Sequence, residues 1–255
     1  MSVVRPKKNL GQHFLRDQNI ARKIVDSLGT TIPNVLEIGP GTGILTRFLL
    51  QQSKLNVYAV EVDSESVDYL NQQFPSLKER LFTEDFLKWE LKNLPESFSI
   101  IGNFPYNISS QIFFRILELR NRVPEVVGMV QKEVAERLSA PPGNKTYGIL
   151  SVLLAAWYDT EYLFTVPQQV FVPPPKVKSA VIRLRRNSIK SLPCNEALFA
   201  GIVKSAFNQR RKMLRNSLGD RSKNIPGEVA TQRPEQLTVD DVIEVTQKIE
   251  NHENL

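Results

Sequence analysis

From Asn34 to about Arg186, short runs rich in β-branched and aliphatic residues alternate with segments of helical periodicity. One apolar run alone is compatible with a strand or a buried helix, but five in series, separated by amphipathic segments, define a parallel sheet covered on both faces. The predicted strands are Val35–Ile38, Val57–Glu61, Leu81–Phe82, Ser99–Gly102 and Val126–Val130, with helices expected over 44–53, 64–73, 109–120 and 131–139. Trp157–Thr165 and Ser179–Leu184 read as a closing pair of strands at an antiparallel edge, with the proline-rich loop Val166–Lys176 between them. Residues 187–195 lack periodicity and read as a linker. Beyond it, Leu198, Phe199, Ile202, Val203, Ala206, Phe207 and Leu214 form the stripe of one long helix, Glu196–Leu218. A last helix, Val239–Ile249, opens after the capping residue Thr238. The expected organisation is residues 1–186, an N-terminal arm with a Rossmann-like α/β domain, and residues 187–255, a small α-helical domain.

The chain has 255 residues, 41% of them apolar and 24% charged, the balance of an ordinary globular protein. Its longest apolar stretch, Ile149–Tyr158, is half of the ~20 residues a membrane span needs, so no membrane association is expected. No apolar segment follows the basic start Met1–Lys8, which therefore does not read as a secretory signal, and a cytoplasmic location is expected. A single cysteine, Cys194, and two histidines, His13 and His252, leave no internal disulfide, too few ligands for a usual zinc site and no obvious histidine base. No metal is expected.

Net charge is +6, unevenly spread. Met1–Arg16, Lys176–Arg186 and Lys204–Lys223 together hold 16 of the 33 basic residues, whereas 224–255 has seven acidic residues against two basic ones. A polyanion such as nucleic acid is the natural partner of such clusters. On one continuous helix Lys204, Arg211 and Arg215 would share a face away from the apolar stripe, next to the run Arg210-Arg211-Lys212, and these five are the candidate RNA-phosphate contacts.

The first strand of the series runs into Gly39-Pro40-Gly41-Thr42-Gly43 and then a helix. Such a loop lets main chain approach a ligand at the C-terminal edge of the sheet. The spacing is GxGxG; a dinucleotide fold prefers GxGxxG, and Pro40 suits a pyrophosphate-binding turn poorly. Glu61 ends the second strand 22 residues after Gly39, where a carboxylate can accept from both hydroxyls of a ribose. Asp85 follows the third strand and can accept from an adenine amine. The outline is a nucleoside site without phosphate, which favours S-adenosylmethionine over NAD.

After the fourth strand comes Asn103-Phe104-Pro105-Tyr106, similar to the (N/D/S)-P-P-(Y/F) motif of methyltransferases that act on planar amines. An adenine N6 lone pair is delocalised, but its two N–H groups can each donate a hydrogen bond. Accepted by Asn103 Oδ1 and the carbonyl near Phe104, they favour nitrogen as it pyramidalises and gains positive charge. Pro105 fixes the turn, and Tyr106 can stack on the base, worth ~1–3 kcal/mol. Phe171 is the candidate for a second wall. No strong base is required, because the nitrogen becomes acidic as methyl transfers to it.

These motifs resemble the ribosomal RNA adenine N6-dimethyltransferase family, KsgA type, along nearly the whole chain. The resemblance covers residues 10–15 (LGQHFL), 37–43 (EIGPGTG), 103–109 (NFPYNIS), 131–134 (QKEV), 147–152 (YGILSV), 171–177 (FVPPPKV) and 207–212 (FNQRRK). It implies transfer of methyl groups from S-adenosylmethionine to two adjacent adenosines near the 3′ end of small-subunit (16S) ribosomal RNA, in an assembling particle, by an enzyme expected to be monomeric. It further implies that His13 and Leu15 border the methionine end of the cofactor, with Gln12 a weaker candidate, and that Gly39 and Gly41 form its loop. In the same way Glu61 would hold the ribose, Asp85 the adenine and Asn103 the target amine. His13 stands where that family frequently has Asn, and Phe104 where it has Leu or Ile. The other readings are a large-subunit RNA methyltransferase of the antibiotic-resistance type, a nonenzymatic ribosome-assembly factor, and a DNA adenine methyltransferase, which must flip its base from a duplex.

Overall fold

A computed structural model describes residues 4–29, 32–225 and 227–253; Met1–Val3 of the basic arm and Pro226, Asn254 and Leu255 of the acidic end lie outside the described residues. In chain order the elements begin with β1 (Phe14–Leu15), α1 (Gln18–Asp26), β2 (Asn34–Ile38), α2 (Ile44–Leu50), β3 (Asn56–Val60), α3 (Ser64–Gln73), β4 (Leu81–Phe82), β5 (Ser99–Asn103), α4 (Ser109–Glu118) and β6 (Glu125–Gln131). They continue with α5 (Lys132–Leu138), α6 (Ile149–Ala155), β7 (Tyr158–Val166), β8 (Phe171–Val172), β9 (Ser179–Arg186), α7 (Glu196–Asn208), α8 (Leu214–Leu218), α9 (Gly227–Thr231) and α10 (Val239–Glu253).

The main sheet has the order β4-β3-β2-β5-β6-β9-β7. Strands β3, β2, β5 and β6 run parallel in register, with Leu36 between Tyr58 and Ile100 and Ile101 beside Val127, while β9 returns antiparallel to β6. Burial explains the sequence of these strands: Val35–Ile38 and Glu125–Val130 are buried at every position, as befits strands covered on both faces. All five predicted parallel strands are present within one residue of the expected ends, as are the four predicted helices, three between the strands and one, α5, after the last.

The chain forms two compact units, Met1–Ala135 with Glu161–Arg186, and Glu136–Thr160 with Asn187–Leu255. The second unit therefore includes Glu136–Thr160, which the sequence reading gave to the first. Its apolar run is the reason: α6 is buried almost throughout and packs on α7, the Trp157 ring meets Phe199 edge-on at 6.1 Å, and Tyr147 meets Phe207 at 6.0 Å. The final helix is capped as expected: Thr238 Oγ1 accepts from Asp241 N (3.1 Å) while Asp241 Oδ2 accepts from Thr238 N (2.8 Å).

The predicted long helix Glu196–Leu218 is broken. α7 ends at Asn208, the turn through Lys212 follows, and α8 begins at Leu214, whose N–H donates to Gln232 O at 2.8 Å. Lys204, Arg211 and Arg215 thus do not share one helix face. Arg210, expected to contact RNA, is half-buried: its guanidinium donates to Lys145 O and its Nε lies 3.7 Å from Glu235 Oε2. It acts as a staple within the second unit. Arg210→Ala should therefore lower stability by about 1 kcal/mol, because it leaves the buried Glu235 oxygen without a countercharge; Arg211→Ala, on an exposed side chain, should not. Urea denaturation of the two variants measures this, and equal midpoints would return Arg210 to the surface set.

Candidate active site

A cavity of about 240 Å³ opens at the C-terminal ends of β2, β3 and β5. Nine of the predicted site residues line it: His13, Gly39, Gly41, Glu61, Asp85, Asn103, Phe104, Pro105 and Tyr106. Gln12 does so too. The loop after β2 needs its glycines: Gly39 and Gly41 have φ of 65° and 55°, a region that side-chain-bearing residues rarely adopt. At Gly41 a Cβ would stand 2.8 Å from the Phe14 ring, whereas at Gly39 it would meet no protein atom within 4 Å and would enter open cavity space.

Glu61 is buried at the cavity wall, where its Oε2 accepts from Gly41 N (3.1 Å) and its Oε1 from Asp63 N (3.0 Å). Burial pushes its carboxyl above the usual range, against the pull of those two N–H donors. Each oxygen keeps acceptor capacity for one further donor, which is what a ribose diol requires. Asp85 is half-buried and accepts from Leu87 N at 3.0 Å. Three carboxylates line the cavity, those of Glu61, Glu84 and Asp85, but among the described residues no lysine or arginine does. Such a lining repels phosphate and suits a nucleoside carrying positive charge. The residues present thus fit S-adenosylmethionine.

Asn103 ends β5 and its Nδ2 donates to His13 O at 2.8 Å, which fixes the amide plane and leaves Oδ1 as its acceptor. The His13 ring stacks on Tyr106 with centroids 5.2 Å apart, and its Nδ1 donates to Pro173 O at 2.8 Å. The Tyr106 hydroxyl lies 2.6 Å from Ser179 Oγ, and burial raises its phenol, so it is neutral at ordinary pH.

Two predicted site residues are placed elsewhere. Leu15 and Phe171 are register partners in the β1–β8 pair, 3% and 1% exposed, and both belong to the hydrophobic core. Neither lines the cavity. Phe171 is thus a core plug and not the second wall, and Leu15 holds the arm by packing. Sequence reasoning also missed Lys7, whose ammonium donates to the buried Asp63 and lies 3.3 Å from Glu65. Asp63 adjoins Glu61, but a basic arm gives no sign of which of its lysines reaches that acid.

Sheet order, glycine loop and carboxylate placement together define a Rossmann-like S-adenosylmethionine-dependent methyltransferase fold, and the solved structures agree. A dimethyladenosine transferase from Plasmodium falciparum superposes with a TM-score of 0.79 at 24% identity, covering 94% of this chain and 98% of that one. The 23S rRNA methyltransferase ErmE gives 0.68 at 26% identity, covering 92% and 99%. The family model for ribosomal RNA adenine dimethylase matches residues 3–252, and the chain belongs to that family. Similar proteins named ribosomal RNA small subunit methyltransferase A include that of Parabacteroides distasonis, 56% identical over 99% of this chain and 97% of its own length. The protein of that name from Flavobacterium johnsoniae is 54% identical over 98% of each.

Beneath the glycine loop, Glu37 is buried and accepts from Thr46 Oγ1 at 2.6 Å. Burial, reinforced by the charge of Glu61 and opposed by that hydroxyl, pushes its carboxyl up to about 7. Between the ordinary carboxylate range and pH 7 the unfolded chain has released this proton while the folded chain keeps it, so stability falls as pH rises through that window. Glu37→Gln keeps an acceptor for Thr46 and removes the titration. Its stability should therefore exceed that of wild type at pH 8 by about 2–3 kcal/mol and match it near pH 4. Urea midpoints across that range test the point, and parallel curves would contradict it.

Proposed function

We propose that this enzyme dimethylates the N6 amines of two adjacent adenosines near the 3′ end of small-subunit (16S) ribosomal RNA, acting as a monomer on a pre-ribosomal particle in the cytoplasm. The observation that carries this reading is the amide of Asn103, held by His13 O at the rim of a cavity lined by carboxylates. Full-length similarity to proteins named ribosomal RNA small subunit methyltransferase A supports the substrate.

S-adenosylmethionine, when bound, supplies an electrophilic sulfonium methyl group. Gly39 and Gly41 would bring main chain against it, Glu61 would accept from the ribose hydroxyls, Asp85 from the adenine amine, and His13 would border the methionine end. On the substrate side, Asn103 Oδ1 and the Phe104 carbonyl accept the two N–H groups of the target amine, which stabilises the positive charge that nitrogen gains. Pro105 fixes the direction of that carbonyl, and Tyr106, braced by His13 and Ser179, offers its ring to the base. Holding the target amine in one orientation relative to the bound cofactor is what these residues would contribute to the rate. In the second unit Lys204, Arg211, Lys212 and Arg215 have exposed side chains and are the proposed phosphate contacts. Arg210 is not among them.

The test is methyl transfer to undermethylated small subunits, with products mapped by mass spectrometry. Wild type should yield dimethyladenosine at paired sites near the 3′ end; Asn103→Ala should lose it while retaining cofactor, and Glu61→Ala should lose cofactor affinity while retaining RNA. Product on large-subunit RNA would select the resistance-type reading, and cofactor binding with no transfer to any RNA would select an assembly factor. For RNA affinity, Arg211→Ala and Lys212→Ala should each lower the slope of log K against log salt by about 1 with cofactor affinity unchanged. An unaltered slope would remove that residue from the interface.

A further inference from the structure

Phe104 is the residue at which the chain leaves the sheet, and its side chain does not follow the loop outward. Its N–H donates to Met129 O at 3.0 Å, extending the β5–β6 ladder by one bond, while its ring is 1% exposed and meets Phe113 edge-on at 5.8 Å. The ring turns back over the sheet onto two glycines, Gly102 and Gly128, which are register partners on β5 and β6. A Cβ at Gly128 would stand 2.5 Å from Phe104 Cε2 and 3.2 Å from Cζ; one at Gly102 would stand 2.8 Å from Cε1. No side chain of any size fits under the ring at either position.

We propose that Gly128, which lies outside the cavity, is a positioning residue for methyl transfer. With Gly102 it leaves a bare patch of sheet on which the Phe104 ring seats, and that seat sets where the Asn103 amide and the Phe104 carbonyl stand. The inference rests on the reading of those two groups as acceptors of the target amine. The coupling is short and stiff. Asn103 and Phe104 are consecutive, Pro105 restricts the next φ, and the Phe104 carbonyl is one bond from the Cα that carries the seated ring. An alanine methyl at 128 must gain about 1 Å to reach an ordinary carbon–carbon separation, and the ring it meets is buried and packed edge-on against Phe113. The ring must therefore rise, taking the carbonyl with it. A displacement of that size at a near-attack site costs up to ~100-fold in rate.

Gly128 gives a cleaner probe than Gly102, because a Cβ at Gly102 would also stand 2.6 Å from Ile38 O on β2. Leucine at 104 has no ring to collide with a methyl at 128, so the effect of Gly128→Ala should depend on residue 104. The experiment is a four-member cycle of wild type, Gly128→Ala, Phe104→Leu and the double variant. Each is assayed for single-turnover methyl transfer to small-subunit RNA, S-adenosylmethionine affinity and thermal midpoint, with Asn103→Ala as control.

Gly128→Ala is expected to slow transfer roughly 10- to 100-fold with cofactor affinity unchanged. The same change in the Phe104→Leu background is expected to alter transfer by less than about threefold. If Gly128→Ala alone fails to fold, the comparison of Phe104→Leu with the double variant still decides, since the seat predicts that the Phe104→Leu background tolerates the methyl. Full activity of Gly128→Ala, or equal losses in both backgrounds, would overturn the proposal. Should Asn103→Ala retain activity, the reading of the site itself fails, an outcome distinct from failure of the seat.

Discussion

The site depends on β2 being hydrogen-bonded in parallel on both sides, to β3 and to β5. The chain steps outward from β2 through β3 to β4, then crosses back to build β5 and β6 on the opposite side. Between β2 and β5 the direction of winding reverses, and the loops leaving their C-terminal ends diverge and open a crevice. Parallel register then does the rest: Ile38 ends β2 beside Val60 of β3, so the glycine loop and Glu61 emerge together, and Asn103 emerges from β5 on the other flank. Residues 39, 61 and 103 are distant in sequence and meet because one strand is shared by two parallel ladders.

The sheet supplies a floor and two flanks, and the arm supplies much of the remaining wall. Five consecutive arm residues, Leu10–Phe14, line the cavity. The arm is attached at each end by a different kind of interaction. Lys7 reaches the buried Asp63, whose carboxyl burial alone would push up but which the ammonium and the Ser66 hydroxyl hold below the usual range. At the other end β1 pairs with β8, and Arg16 N donates to Val170 O. Between them Phe14 closes over Gly41, which explains why that position tolerates no side chain on steric grounds as well as conformational ones.

How much of this was legible in the sequence follows the range of the interactions. The strands read correctly because burial on both faces leaves continuous apolar runs, a local signal. That Glu61, Asp85 and Asn103 line one cavity was legible because the fold puts strand ends there, so position after a strand carries the information. The positions of Phe171 and Leu15 were not legible. Both are apolar residues beside the site, and only the β1–β8 register decides that they face the core. Arg210 illustrates the same limit for charge: a basic run looks uniform along the chain, yet a distant carbonyl at Lys145 and a carboxylate at Glu235 engage one of its members within the second unit. The break after Asn208 was hidden because Leu214 keeps an apolar periodicity that a single helix would also give. The membership of Glu136–Thr160 in the second unit was hidden because it returns through β7 to the first, and the linear order shows no boundary there.

The carboxylates at the cavity carry a cost that a ligand can offset. Glu61 is held above the ordinary range by burial, and its charge in turn helps to raise Glu37 beneath the glycine loop. Backbone N–H groups, those of Gly41 and Asp63 among them, offset part of the penalty on Glu61, but among the described residues the cavity lining provides no lysine or arginine to offset the remainder. On the proposed reading, a nucleoside with a positively charged sulfonium would bring the missing charge, and its ribose hydroxyls the missing donors. Binding such a cation would favour the ionised form of Glu61, and by linkage ionisation of Glu61 would strengthen binding. A neutral product that has lost its methyl group keeps the hydroxyl donors but not the charge. On the proposed reading, these acids would therefore also distinguish the loaded cofactor from the spent one, in the direction that favours exchange after each transfer.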